Sequence, residues 1–467
     1  MDRRDAAAHP GSWHATAFFW SALAIVVVAL KLLGLTLDPH AAFFLGDSAS
    51  YLHTALTGWI PPDRSYWYGV VVATIVGSTQ SLTPLVIAQS MAGAGTALLA
   101  AWWSDLVFRP GRAVLCVVAI ACALEPSQLL LERYVLTESL ALFALALQLL
   151  AATYVIVRGN WLWMPMVVLS GVAVIALRPS LGPVVIAVCA CAPLLARAAG
   201  TVRTVSALAA QAGTAILVAV TPLVAANVHT GTFLLAAWSP LLEPSDLGDA
   251  DLQDRVLEGL DLTSPDLFTR ETNLWHPDGL VKRLAREVPE TEELDRVARQ
   301  AALAIAVRDP IGVAVLAGRT YASVWNRKNR SRLMHWDVGQ QPLDAEFRRR
   351  LASSFRLVVD ERPPPTPSSR YYLKVGSWVA PAYLLAPLLL LAVSVRRPPV
   401  QRSALLLLAA ASALILVSVA FLATLPVVRY LQPISWMMIA SCIPALVGVV
   451  AAAWRSGPKG GSTSWPA

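Results

Sequence analysis

The chain has 467 residues, of which 56% are hydrophobic and only 14% are charged. A soluble domain has about 25% charged residues, so this composition excludes an ordinary soluble protein and predicts an all-α polytopic membrane protein. The net charge of +7 does not indicate nucleic-acid binding, because much of the excess follows the membrane topology described below. The five cysteines form no CxxC or Cys/His pattern, so the sequence predicts neither a zinc site nor a disulfide framework.

The first apolar run, residues 16–35, is long enough to cross a bilayer and too long for the core of a cleaved signal peptide. It leads into the stretch FFLGDSASYL, which contains Asp47. This aspartate is expected just beyond the far face of the membrane, where a carboxylate could act as a base on a lipid-borne substrate. At this point a second role is equally open, because Asp47 could simply cap a short helix through its side chain.

Ten apolar segments are predicted to span the membrane: 16–35, 84–108, 113–131, 135–157, 161–177, 181–196, 205–226, 375–395, 403–424 and 433–454. Arginine and lysine occupy alternate loops, which places those loops and both chain ends on the cytoplasmic side. Residues 66–77 are too short to span and begin with aromatic side chains, so they are predicted to form a juxtamembrane or re-entrant helix on the outer side.

The predicted organisation has four parts. Residues 1–227 form an N-terminal transmembrane catalytic module with a first outer loop at 36–83, residues 228–374 an inserted extracytoplasmic domain, residues 375–456 the C-terminal transmembrane helices, and residues 457–467 a disordered cytoplasmic tail. Residues 227–374 hold 21 of the 30 acidic and 20 of the 37 basic residues, which is why they are placed outside the membrane. Within them, residues 290–325 are predicted to be helical with a break at Asp309-Pro310, and a proline-rich linker follows at 360–369.

Several charges fall at the outer ends of the predicted spans: Asp47, Arg64, Glu125, Glu132, Arg133, Glu138, Arg178 and Arg429. Arg178 and Arg429 run against the positive-inside pattern, and a charge at the membrane edge usually has a partner. Arginine is a bidentate phosphate ligand and a nearby carboxylate could act as a base. Simpler roles stay open for two of these residues. Glu138 could only interact with the dipole of the helix that it begins, and Arg178 could only extend its side chain to the lipid headgroups.

Four short stretches contain these charges: LGDSASY around Asp47, RSYWYG from Arg64 with VIAQ ending at Gln89, YVLTESLA around Glu138, and VRYLQP around Arg429. They resemble the GT-C superfamily of polyprenyl-phosphate-sugar-dependent glycosyltransferases, in particular protein O-mannosyltransferases and the aminoarabinose transferases of lipid A. The second stretch lacks the prolines of the family pattern. The stretches are scattered over most of the membrane part of the chain and do not include residues 228–374.

This resemblance implies a GT-C-like bundle and an inverting sugar transfer. Asp47 would be the catalytic base that deprotonates an acceptor hydroxyl, and the leaving group would be a polyprenyl phosphate. Arg178 and Arg429, with Arg64 as a third candidate, would neutralise its developing charge. Tyr51 and Tyr430 would contact the sugar, and Glu138 would orient the acceptor or an arginine. No metal or other cofactor is predicted.

The predicted partners are membrane lipid, the lipid-phosphate sugar donor and a glycan, glycolipid or protein acceptor, which the insert would select. The arginine-rich, lysine-poor composition suggests a bacterial cytoplasmic membrane, with the active site on its outer face. Two other classes remain: a non-catalytic cell-envelope assembly protein, and a transporter or flippase of lipid-linked sugars. Transport would need polar residues at mid-membrane depth, whereas charges are nearly absent there and Lys31 lies near a span end.

Overall fold

The computed structural model describes residues 10–62, 64–201, 205–224, 230–262, 264, 266–339, 343–357 and 366–455. These residues form α-helices joined by short loops, with a single isolated bridge between Ala42 and Tyr134. The protein is therefore all-α, as predicted. The predicted tail at 457–467, residues 1–9 and most of the proline-rich linker lie outside the described residues.

The N-terminal half contains ten α-helices. They are α1 Pro10–Leu37, α2 Leu45–Thr57, α3 Tyr66–Thr79, α4 Thr83–Phe108, α5 Arg112–Ala123, α6 Pro126–Leu131, α7 Glu138–Arg158, α8 Met164–Leu177, α9 Gly182–Ala198 and α10 Val205–Val224. The 14-residue helix α3 contains the segment that the sequence left outside the predicted spans, and it packs on α2, α4 and α8. Its residue Tyr68 is fully buried and donates a hydrogen bond to Gln89 Oε1 at 2.6 Å.

The remaining helices cover the predicted insert and the C-terminal membrane segments. In the insert they are α11 Thr230–Trp238, α12 Ala250–Leu257, α13 Leu267–Trp275, α14 Leu280–Glu287, α15 Thr291–Arg308, α16 Pro310–Trp325, α17 Arg327–Asp337, α18 Ala345–Phe355 and α19 Pro367–Tyr371. After it come α20 Ser377–Leu384, α21 Ala386–Ser394, α22 Pro399–Leu422 and α23 Gln432–Arg455. The predicted break at Asp309-Pro310 is confirmed, since Asp309 caps α16 by accepting the Gly312 N–H at 2.7 Å.

The expected count of ten spans is wrong for the described chain. Six helices are long and apolar enough to cross a membrane, or up to eight if each of two bent helix pairs is one span. A span needs about 20 residues, whereas three predicted spans correspond to shorter apolar helices, at Arg112–Ala123, Trp161–Leu177 and Ala212–Thr221. The first of these stops because Glu125 and Pro126 start a new helix, in which the Glu125 carboxylate accepts the Gln128 N–H.

The insert shares part of its apolar core with the membrane helices. Leu267, Val324, Leu333 and Leu351 belong to the same buried cluster as the membrane helices. A second cluster, built from α11 to α16, is packed against Phe421 of the candidate span α22. Burial of apolar side chains stabilises the fold by about 25 cal/mol per Å², so the shared core fixes the insert on the membrane bundle. Side chains of the insert can therefore contribute to a site at the membrane edge.

A buried ion pair joins α1 to the end of α6. Lys31 Nζ lies 2.5 Å from Glu132 Oε1, and both side chains are at most 1% exposed. Gln128 donates to the same carboxylate oxygen at 3.1 Å. Gly93 makes room for it, because a Cβ atom added at Gly93 would lie 1.8 Å from Glu132 Oε1. Lys31 is thus an interior residue with a dedicated partner, although the sequence placed it only near a span end.

Candidate functional site

Asp47 is held at the start of α2 by the loop that precedes α7. Ala42 donates its N–H to the Arg133 carbonyl at 2.7 Å and accepts the Val135 N–H at 3.0 Å. The Ser48 hydroxyl donates to the Val135 carbonyl at 3.0 Å and accepts the Phe44 N–H at 2.8 Å. Three of these four bonds join residues about 90 positions apart, so they fix the acidic loop against the segment that leads to Glu138.

The Asp47 carboxylate binds two arginines from distant parts of the chain. Arg64 Nη2 lies 2.8 Å from Oδ1, and Arg429 Nη2 lies 3.3 Å from Oδ2. The Asp47 side chain is 22% exposed, compared with 14% for Arg64 and 8% for Arg429. The carboxylate therefore lies at the mouth of the site, and the guanidinium groups lie behind it.

Glu138 occupies the first position of α7, where a carboxylate is favoured by the helix dipole. It also faces two arginines, Arg178 Nη1 at 3.8 Å and Arg429 Nη1 at 3.9 Å. These distances permit ion pairing but exceed those of hydrogen bonds. Arg178 follows the end of α8. The structure thus brings together five predicted residues, here called the arginine cluster: Asp47, Arg64, Glu138, Arg178 and Arg429.

Arg429 is the hub of this cluster. It lies in a short 3₁₀ segment, Val428–Leu431, just before α23. Its Cζ atom is 3.8 Å from the centroid of the Phe44 ring. Nε and Nη1 are buried and have no hydrogen-bond partner among the described residues. Buried donors are normally satisfied, so this guanidinium has hydrogen-bonding capacity left for a ligand.

The two predicted tyrosines differ in position. Tyr430 is half-buried, and its ring lies 5.4 Å from the Cζ atoms of both Arg178 and Arg429. It therefore lines the arginine cluster. Tyr51 is only 6% exposed and packs edge-on against Tyr68 with ring centroids 4.8 Å apart. Burial raises the pKa of the Tyr51 phenol well above its usual range, so this hydroxyl stays protonated.

Sequence reasoning missed two acids that the insert brings to the cluster. Asp337, the last residue of α17, accepts the Arg429 N–H at 3.1 Å and the Tyr372 hydroxyl at 2.7 Å. Glu271 of α13 accepts the Thr424 hydroxyl at 2.5 Å and lies within electrostatic reach of Arg429 and Asp47. No sequence signal separated these two from the many other charges of the insert.

The predicted charges Glu125, Glu132 and Arg133 are not part of this site. Glu132 pairs with Lys31, and Arg133 donates to the Ser90 hydroxyl at 2.7 Å. Glu125 accepts the Tyr383 hydroxyl at 2.8 Å. This second region adjoins the first, because Gln128 accepts a hydrogen bond at 2.9 Å from Gln432, three residues after Arg429.

Burial raises the pKa of Asp337 from about 3.8 to about 6, against the opposing effect of the Arg429 guanidinium. The folded-state pKa lies above the unfolded value, so the folded protein binds the extra proton. The Asp337 contribution to the free energy of unfolding is therefore most favourable below about pH 4 and falls by about 3 kcal/mol as the pH rises through about 6. Asp337→Asn should remove this fall.

Denaturant unfolding of the purified protein in detergent, from pH 4 to 7, measures this contribution as the difference between wild type and variant. The difference cancels the other carboxylates that titrate in this range. Parallel stability curves for the two proteins would contradict the assignment.

No group of three or more His, Cys, Asp or Glu side chains within the described ranges is arranged to hold a metal ion. The four acids around Arg429 are instead paired with arginines or hydrogen-bond donors.

The fold and the apolar helices define the protein as an all-α, multi-pass membrane protein. No family model matches the sequence, and no curated protein matches it either. The geometry of the cluster and the four sequence stretches around it are therefore what indicate a function.

Proposed function

We propose that the protein is an inverting glycosyltransferase that moves a sugar from a polyprenyl-phosphate donor to a hydroxyl acceptor. The observation that carries the proposal is the buried Arg429 guanidinium, which has unused donors and lies beside the partly exposed Asp47 carboxylate. A site with a fixed cation and an accessible carboxylate suits a reaction that creates a phosphate anion and releases a proton.

The reaction assigns one role to each kind of group. Asp47 accepts the proton of the acceptor hydroxyl, whose oxygen forms a bond to the anomeric carbon of the sugar. The bond from that carbon to the phosphate oxygen breaks with inversion, and its electron pair leaves with the polyprenyl phosphate. Arg429, Arg178 and Arg64 stabilise this leaving group.

The donor phosphate also explains why the arginines are paired with carboxylates in the free protein. Arg64 and Arg429 hold both oxygens of Asp47. A phosphate that binds these guanidinium groups releases the carboxylate for the acceptor hydroxyl. The donor therefore binds first, and the Asp47 carboxylate becomes available to the acceptor hydroxyl only afterwards.

The position of the cluster suits a lipid-borne donor. Its residues lie at the start of α2, the start of α7, the end of α8 and just before α23. Arg158 ends α7, at the opposite end from Glu138, and Arg109 directly follows the end of α4. Since arginine in short loops marks the cytoplasmic side, the proposed site faces outward from a bacterial cytoplasmic membrane. The acceptor is a glycan, glycolipid or protein on that side.

A transfer assay tests the proposal. Membranes that contain the protein are supplied with a panel of radiolabelled polyprenyl-phosphate sugars, and label is followed into lipid, protein and glycan fractions. Asp47→Asn is expected to lower the rate of transfer at least 10²-fold, the usual effect of losing a general base. The exposed Asp254, in helix α12, provides the control, because Asp254→Asn makes the same chemical change away from the cluster and should retain full transfer.

Folding of Asp47→Asn is checked by its elution and thermal unfolding in detergent. Equal transfer by wild type and folded Asp47→Asn would refute the proposal, as would the absence of transfer from every donor. The absence of transfer would favour an assembly protein, or a transporter of lipid-linked sugars, whereas equal transfer would exclude Asp47 as the base.

A further inference from the structure

A surface recess lies between α13 and α17, outside the arginine cluster. Its volume is about 420 Å³, within the range of small-molecule sites, and it is lined by Phe268, Ser331, Arg332, His335, Trp336 and Gly339. The rings of Phe268 and Trp336 meet edge to face with centroids 6.0 Å apart. The recess thus combines two aromatic walls with a rim of hydrogen-bond donors.

The lining is cationic and contains no carboxylate. The Arg332 Cζ atom lies 3.8 Å from the centroid of the Phe268 ring, and Arg332 makes no ion pair with the described residues. Stacking holds the guanidinium in place and leaves its N–H edge available. His335 Nδ1 donates to the Ser331 carbonyl at 2.7 Å, so its Nε2 atom remains for a ligand.

The recess adjoins the arginine cluster along both of its helices. Phe268 and Glu271 lie three positions apart, on the same face of α13. On α17, His335 and Trp336 immediately precede Asp337, which binds the Arg429 backbone. Each helix therefore carries a recess residue and a cluster residue within one turn, about 5 Å along the helix axis.

The chain around the recess is positively charged, as is the lining of the recess. Residues 310–357 contain nine Arg and Lys and three Asp and Glu, whereas residues 243–295 contain five Arg and Lys and fifteen Asp and Glu. The basic half of the insert thus includes α17, and it attracts an anionic molecule toward the recess.

We propose that this recess is a binding site for an anionic saccharide unit, carrying a carboxylate or a phosphate. The sugar ring packs on Trp336, and the anion binds Arg332, which Phe268 holds in place, with a charge-assisted hydrogen bond. Its identity as the acceptor subsite rests on the proposed transfer reaction and on the two helices α13 and α17, which carry both recess residues and the acids Glu271 and Asp337 of the cluster.

Calorimetric titration of the full chain in detergent tests the site, with trigalacturonic acid as the carboxylated probe, mannose 6-phosphate as the phosphorylated probe and maltotriose as the neutral one. At least one anionic probe is expected to bind at least 10-fold more tightly than maltotriose. Arg332→Gln should weaken that binding by at least 10-fold. Arg327→Gln is the matched control, because it removes the same charge from the exposed start of α17, and it should leave the affinity unchanged.

Equal affinities for Arg332→Gln and Arg327→Gln, or no binding of either anionic probe, would overturn the proposal. So would an effect of Arg332→Gln confined to binding of phosphatidylglycerol vesicles, since this would identify a membrane contact. Arg332-dependent binding of one anion but not the other supports the site and identifies the charged group it takes.

The two proposals fail separately. Asp47→Asn should bind the anionic probe as the wild type does, because Asp47 does not line the recess. Saccharide binding without transfer by the wild type would refute the transferase and leave the saccharide site intact. If transfer occurs but Arg332→Gln leaves the KM for an anionic acceptor unchanged, the acceptor assignment fails.

Discussion

Arg429→Gln is expected to abolish sugar transfer and to lower the free energy of unfolding by about 3 kcal/mol, because removal of one partner of a buried ion pair leaves an uncompensated charge. Arg429 is 8% exposed and lies 3.9 Å from both Glu138 and the fully buried Asp337. Both carboxylates lose their shared cation in the variant. Transfer rates in membranes and denaturant unfolding in detergent measure the two effects.

A second variant separates the two roles of Arg429. Asp337→Asn added to Arg429→Gln removes the buried charge that lacks a partner, while the asparagine oxygen still accepts the backbone N–H of residue 429. Stability should recover and transfer should not. Arg319→Gln, on the exposed face of α16, is the control for loss of one positive charge. Recovery of transfer in the double variant would show that Arg429 acts only on the fold.

Lys31→Met is expected to destabilise the protein by about 3–5 kcal/mol, the usual effect of breaking a buried pair from one side. The loss leaves the buried Glu132 carboxylate with only the Arg133 guanidinium, whose Nη1 atom lies 3.9 Å from Oε2, and Oε2 has no hydrogen-bond partner within the described residues. The carboxylate has little room to move, because Gly93 packs directly against it. The fraction of folded protein after heating in detergent provides the measurement.

The Lys31–Glu132 pair allows a double-mutant cycle. Glu132→Gln combined with Lys31→Met should restore most of the lost stability, since a neutral amide is less costly to bury than a charge. Transfer per folded molecule should stay at the wild-type level, because neither residue contacts the arginine cluster. Additive losses in the double variant would show that the two side chains do not act as a pair.

Five members of the cluster could be predicted from the sequence because each lies next to an apolar run. Asp47, Arg64, Glu138, Arg178 and Arg429 are charges at places where charge is expensive, and such residues stand out against a chain with few charges. The structure brings these five together. Their chemical roles remain predictions.

Asp337 and Glu271 could not be found in this way. Both belong to a segment in which charged residues are common, so their presence carries no local signal. Only the packing of α13 and α17 against the membrane bundle distinguishes them from exposed acids. The composition of the insert is that of a soluble segment, which predicted a separate domain, whereas several of its apolar residues join the common core.

The span count failed for a related reason. The length of an apolar run predicts a membrane span. A helix also ends, however, where the next residues cap the start of a new helix. Glu125 caps α6 with its side chain and so divides residues 113–131. The ion pair of Lys31 with Glu132 was equally invisible, because its partners lie 101 residues apart.

The contact between Asp47 and Arg429 joins residues 382 positions apart, which sets an order of events during biosynthesis. At 5–20 residues per second, Arg429 is made on the order of half a minute after Asp47. Until then, of the two arginines that pair with Asp47, only Arg64 has been synthesised. A nascent chain, or any fragment that ends before residue 428, therefore lacks the hub of the cluster, and the site is completed only when the last long helix enters the membrane.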